Sequence, residues 1–139
     1  MKHLLFAAFM AVGILSCSKD KTVSGNNALP GIANATVKLN GMFTPTTGIT
    51  VKGEARMVSD GTALALLLYN FQVSAGPDLK VYLSKKDSPF EFINLGPLQS
   101  NSGNQVYEVP AGTNLAVHKY VLIHCQQYNH LFAIAELKP

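Results

Sequence analysis

The sequence predicts an all-β fold, a single antiparallel β-sandwich or barrel of about eight strands. Three observations predict it. Apolar residues alternate with charged ones over short runs, as they do in half-buried strands. Clusters of Gly, Pro, Asn, Asp and Ser separate these runs at spacings of about ten residues. No run shows a convincing amphipathic helix period. The predicted domain covers residues 35–139, which is long enough for one such core and too short for two.

The strands follow from these runs in chain order. ATVKLNGMF alternates around Val37 and Leu39, and GITVKGEARMV alternates apolar residues with Lys52, Glu54 and Arg56. TALALLLYNF is almost continuously apolar, as in a strand covered on both faces or a short helix, and its length and the SDG turn before it favour a strand. DLKVYLS alternates again. Four more strands are predicted from the runs FEFINLG, NQVYEVP, KYVLIHC and HLFAIAELK.

Residues 1–16 have the pattern of a bacterial secretory signal peptide. Lys2 precedes an apolar run from Leu4 to Leu15, and Ser16 stands directly before Cys17. Such a run of about a dozen residues is too short for a membrane-spanning helix, which needs about 20. The ending ILSC resembles a lipobox, in which the cysteine becomes the lipidated first residue of the mature chain. An ordinary signal peptide with a chance cysteine is the alternative, and the small residue before Cys17 makes it the weaker one.

The tether and the charge balance complete the predicted organisation. Residues 17–34 are predicted to be the lipidated cysteine and a flexible tether, because Ser, Gly, Asn, Pro and Lys dominate them. Removing Lys2 with the signal peptide leaves 10 of the 11 basic side chains against 8 acidic ones. This near-neutral balance gives no electrostatic footprint for nucleic acid. We expect a protein of the bacterial cell envelope, on either its periplasmic or its surface side, that meets the membrane through its lipid anchor.

Several catalytic patterns are missing from the sequence. There is no Gly-x-Ser-x-Gly turn and no Gly-rich phosphate loop before a helix. Asp78, Asp87 and Glu91 are predicted to be solvated turn and edge charges and not a glycosidase pair.

Cys125 and three nearby histidines are the candidate metal ligands. Copper and zinc accept donors such as Cys125, His118, His124 and His130. Neighbouring residues of a strand point to opposite faces, so His124 and Cys125 should diverge. The sequence has no His-x-His or Cys-x-x-Cys spacing. We therefore expect surface and rim histidines and no metal site, and a metal or haem centre is the weakest of the hypotheses.

Cys125 is the strongest candidate for chemistry. If the sulfur of Cys17 carries lipid, Cys125 has no disulfide partner, and an unpaired thiol in an oxidising compartment is either a reactive group or a small apolar core residue. Strand parity places Cys125 on one face with Val121 and Ile123, close to the turn QQYNH. A thiol at a strand end can be sheltered and still reachable. A sulfur enclosed by aliphatic side chains, with no way in, would leave only an anchored scaffold.

The order of several segments resembles the electron-transfer domain family called DM-thirteen. The segments are GPDLKVYLS (76–84), LGPL (95–98), NQVYEVP (104–110) and the hairpin around Cys125, and the resemblance covers about residues 40–138. It implies a β-sandwich and a redox role for the cysteine that corresponds to Cys125. Two positions depart from the family pattern: His124 stands where Trp is frequent, and Ala133 follows Phe132 where Gly is common. The lost Trp removes an aromatic ring that could stack on a cofactor or carry electrons.

Two functions from different classes remain at this point. The first is an envelope lipoprotein domain that transfers electrons through Cys125, by a sulfenic acid or a mixed disulfide with a separate redox partner protein. The second is a non-catalytic β-sandwich module that binds a ligand or protein, with Cys125 as a core residue. Neither the residues nor the resemblance identifies a cofactor.

Overall fold

A computed structural model describes residues 34–139 as two antiparallel β-sheets that form a sandwich. The predicted signal peptide and nearly all of the predicted tether lie outside the described residues. The strands are, in chain order, β1 (Thr36–Met42), β2 (Thr44–Pro45), β3 (Val51–Ser59), β4 (Leu64–Val73), β5 (Leu79–Ser84), β6 (Ile93–Pro97), β7 (Gln105–Val109), β8 (Tyr120–Cys125) and β9 (His130–Glu136). The first sheet has the order β1-β3-β4-β7 and the second the order β2-β9-β8-β5-β6. The predicted fold class is confirmed, and the short β2 is the strand that the sequence patterns missed.

The main core lies between the two sheets, where the inward residues of both meet. Its fully enclosed members include Met57, Leu66 and Leu68 from the first sheet and Val81 and Ile123 from the second. The near-continuous apolar run of β4 is a strand covered on both faces, as predicted. Its outward residues Ala65 and Leu67 form a second, smaller cluster with Val58.

The chain passes from one sheet to the other at Phe43. β1 pairs with β3 in the first sheet, and β2 pairs with β9 in the second. The backbones of Asn40 and Lys138 exchange two hydrogen bonds of 2.8 Å, which close the sandwich along this edge. Gly41 fits here because a Cβ at this position would overlap the carbonyl group of Glu136.

The segment FEF was predicted to begin a strand and instead belongs to a loop over the outer face of the second sheet. β6 begins only at Ile93, and Phe90 and Phe92 lie in the preceding loop. The hydroxyl of the fully buried Ser84 lies 2.7 Å from the carbonyl oxygen of Ser88 and accepts the N–H of Phe90 at 3.1 Å. Glu91 has a φ of +43°, and its carboxylate pairs with Lys85. This loop gives the second sheet a covered outer face.

Within residues 34–139, no helix is both long and apolar enough to cross a bilayer.

Candidate functional site around Cys125

Cys125 is the last residue of β8, and the structure encloses it completely. Its exposed fraction is 0%, it forms no disulfide, and it belongs to the main core together with Val121 and Ile123. The predicted parity of the strand is therefore confirmed. Leu79 of β5 and His130 of β9 are the backbone neighbours of Cys125 on its two sides. A thiol in this position is out of reach of a reagent while the fold is closed.

The turn that follows Cys125 is exposed and held by few bonds. Residues 126–129 are all exposed. The N–H of Gln126 donates to the carbonyl oxygen of Asp78 at 2.9 Å, and the N–H of Asn129 donates to that of Gln126 at 3.3 Å. Asn129 closes the turn with a φ of +49°, a conformation that Asn tolerates better than most residues. Cys125 is thus buried, but only one residue away from a solvent-exposed turn.

His124 points to the outer face of the second sheet, opposite to Cys125, and it is buried. Its exposed fraction is 5%, so the expectation of a surface or rim histidine is wrong for this residue. His130 is exposed and His118 is partly exposed, as expected. The loop that covers the outer face is the physical reason for the difference, since parity alone does not reveal what lies over a sheet.

The His124 ring has one hydrogen-bond partner and one nitrogen without any. Its Nε2 lies 3.2 Å from Oδ1 of Asn129, across the turn. Its Nδ1 is buried and has no partner among the described residues. Burial lowers the pKa of His124, the bond to Asn129 opposes that effect, and the nearby His130 lowers the pKa further. The lowered pKa favours the neutral ring, and with the Asn129 oxygen as its partner we assign the proton to Nε2, which then donates this bond.

A row of three neighbouring rings crosses this outer face. Phe92, which is 41% exposed, stacks on Tyr82 with ring centroids 4.1 Å apart and an interplanar angle of 19°. Tyr82 is 2% exposed and lies 5.5 Å from the His124 ring, and its burial raises its pKa. His124 thus adds a third planar ring to this face. In the sequence, the signal of this layer is an aromatic and an apolar residue, Tyr82 and Leu122, at outward strand positions.

The candidate metal ligands do not converge. His124 and Cys125 point to opposite faces, and His118 makes its own contact, with Nδ1 3.3 Å from the carbonyl oxygen of Asn114. In the part of the chain that the structure describes, no three His, Cys, Asp or Glu side chains are grouped so that they could hold a metal ion.

Comparison with known proteins adds one match. A family model described as electron transfer DM13 matches residues 42–137. No curated protein matches the chain, and no solved structure does. The matched range runs from the end of β1 to just beyond β9 and contains both Cys125 and His124.

Proposed function

The chain belongs to the electron-transfer DM13 family, and from this membership we propose that it is a cell-envelope redox domain whose working group is the Cys125 thiol. One observation carries the proposal. The described residues hold a single free thiol, and it stands at the last position of a strand, directly before an exposed turn. At this place, opening the end of one hairpin would expose the sulfur, whereas a thiol in mid-strand would need a larger opening.

The chemistry is thiol–disulfide exchange with a separate redox protein. The Cys125 thiolate attacks one sulfur of a partner's disulfide, the partner's S–S bond breaks, and a mixed disulfide forms while the other partner sulfur leaves as a thiolate. A second thiolate then attacks the mixed disulfide and returns Cys125 to the reduced form. With a peroxide as oxidant, the thiolate takes one oxygen, the O–O bond breaks, and Cys125 becomes a sulfenic acid as hydroxide leaves.

We expect Cys125 to be oxidised by peroxide in the folded protein. Intact-mass measurement of the mature chain in detergent, after exposure to peroxide and a sulfenic-acid probe, should show one adduct. Peptide mapping should place it on Cys125. The matched control is Cys125→Ala, which keeps an apolar side chain in the core, costs about 1 kcal/mol of stability and should show no adduct. An adduct that forms only after a denaturant is added would contradict the proposal.

The envelope location rests on the N-terminal pattern, and we expect Cys17 to anchor the chain. In the native host, Cys17→Ala should move the protein from the membrane fraction to the soluble one and remove the mass of the lipid. Cys125→Ala is the control here as well, since it leaves the anchor intact and should stay with the membrane. Retention of the Cys17→Ala variant in the membrane fraction would refute the lipid anchor.

The burial of Cys125 favours a second candidate, a non-catalytic binding module. A fully enclosed thiol fills core volume like a small apolar side chain, and the domain would then act through its loops. Under this alternative, Cys125→Ala loses some stability but retains the biological function. A redox phenotype in that variant, with its circular dichroism spectrum unchanged, would exclude it.

A further inference from the structure

We propose that His124 and Asn129 form a latch that holds the turn after Cys125 closed, and that protonation of His124 opens this latch and exposes the thiol. The inference rests on the proposed redox role of Cys125, because it describes how access to that thiol is controlled. It makes His124 a positioning residue, which acts through the turn and does not touch the reacting sulfur.

The latch follows from the position of the two side chains. His124 directly precedes Cys125 on β8, and Asn129 is the last residue of the exposed turn before β9. The 3.2 Å contact between their side chains therefore spans a segment whose first residue is Cys125. Two further backbone bonds hold this turn, from Gln126 to Asp78 and from Asn129 to Gln126. With so few bonds, the loss of one should change the opening equilibrium measurably.

A second ring proton on His124, carried by Nδ1, has no acceptor while the latch is closed. In the neutral ring Nε2–H donates to Asn129, and Nδ1 carries only a lone pair. Protonation places a new N–H on Nδ1, which is buried and has no partner among the described residues. An unsatisfied buried donor on a charged ring is costly. Opening the turn gives this N–H water as a partner, so the proton favours the open form.

The charged groups around His124 do not offset this cost. Lys80 of β5 is its neighbour in the register, and the ammonium group of Lys80 lies 2.9 Å from the carboxylate of Asp78. From β9, His130 acts to lower the pKa of His124, and the apolar Leu131 is its register neighbour on that strand. The side chain facing it within the outer layer is the neutral Tyr82. Neither Lys80 nor His130 offers a negative charge to a protonated His124, and the carboxylate of Asp78 already pairs with Lys80.

The direction of the pH effect follows from the lowered pKa. In the closed form the pKa of His124 lies below its ordinary value of 6.5, and in the open, solvated form it returns towards that value. Well above pH 6.5 neither form is protonated, and the latch is at full strength. As the pH falls below this value, only the open form takes up the proton, so the open fraction grows until the pKa of the closed form is passed.

The test measures access to Cys125 as a ratio of two rates. The native chain and the urea-unfolded chain are labelled with a dipyridyl disulfide at the same pH, and the native rate is divided by the unfolded rate. This division removes the change in thiolate fraction with pH. We expect the ratio in the wild type to rise about fivefold or more between pH 7 and pH 5. Asn129→Gly keeps the positive φ and removes the bond, so its ratio at pH 7 should rise about fivefold, the equivalent of one ordinary hydrogen bond.

Three variants identify the titrating group, with folding checked by circular dichroism. His124→Gln retains a side-chain donor for Asn129 but does not titrate, so its ratio should be independent of pH. His124→Phe keeps a ring beside Tyr82 but cannot form the bond to Asn129. Its labelling ratio should be higher than that of the wild type at pH 7 and should not change with pH. His130→Gln should keep the pH dependence. A flat ratio in the wild type, or an unchanged pH dependence in both His124 variants, overturns the latch.

The latch and the redox role can fail separately. A native thiol that labels at a rate independent of pH overturns the latch and leaves the redox role standing. A latch that behaves as expected, in a protein whose Cys125→Ala variant keeps the biological function, overturns the redox role alone. A thiol that stays unlabelled in the native chain at both pH values overturns both.

Discussion

Replacing Gly53 by alanine is expected to lower the free energy of unfolding by about 3 kcal/mol or more. Gly53 occupies an irregular position of β3, where the pairing with β4 shifts register between Lys52 and Glu54. Its φ is +97°, and a Cβ there would lie 2.6 Å from the carbonyl oxygens of Tyr69 and Asn70. These oxygens belong to the backbone of a central strand and cannot move aside without loss of pairing. The substitution therefore adds a clash to the conformational strain.

The matched control is Gly48→Ala. Gly48 also has a positive φ, of +80°, but no atom lies within 4 Å of a Cβ at this position. Only the conformational strain remains there, and we expect a cost of about 1 kcal/mol. Urea unfolding of both variants measures the difference. Equal losses would show that β3 and β4 relax around the new methyl group, against the rigid register described above.

Replacing Tyr82 by alanine should cost about 3 kcal/mol, as for a large side chain in the main core. Tyr82 is on the outer face of the second sheet, yet it is enclosed beneath Phe92 and beside His124. The expected loss therefore tests whether the covered outer face is a second packed layer. Thermal and urea unfolding provide the measurement.

Tyr82→Phe is the control for this prediction. It retains the stacked ring and removes only the hydroxyl, so we expect it to stay within about 1 kcal/mol of the wild type. Phe92→Ala should cost less than Tyr82→Ala because Phe92 is already partly exposed. A Tyr82→Ala variant as stable as Tyr82→Phe would mean that the loop over this face contributes little to stability.

The sequence predicted those features of the fold that depend on local pattern. Alternation identified β1, β3 and β5, and the long apolar run identified β4 as a strand covered on both faces. Parity also placed Cys125 on the same face as Val121 and Ile123, and His124 on the opposite face. Each of these follows from the period of two in a strand and needs no knowledge of distant contacts.

The features that the sequence could not predict depend on contacts between distant segments. Whether an outward residue such as His124 is exposed depends on the loop of residues 85–92. That loop is held by the hydroxyl of Ser84, the last residue of β5. The depth of Cys125 depends on its register with Leu79, far away in the sequence. β2 is two residues long and is defined by its pairing with β9, so no periodicity could reveal it.

The most direct test of the redox account is the urea dependence of Cys125 labelling at pH 7. If the hairpin end opens locally, little surface is exposed. The logarithm of the labelling rate should then change only slightly with urea well below the unfolding midpoint and steepen near it. If the thiol is reached only by global unfolding, the rate should follow the full slope of the unfolding transition from the lowest urea concentration. That second result would contradict a working thiol at Cys125 and leave an anchored scaffold.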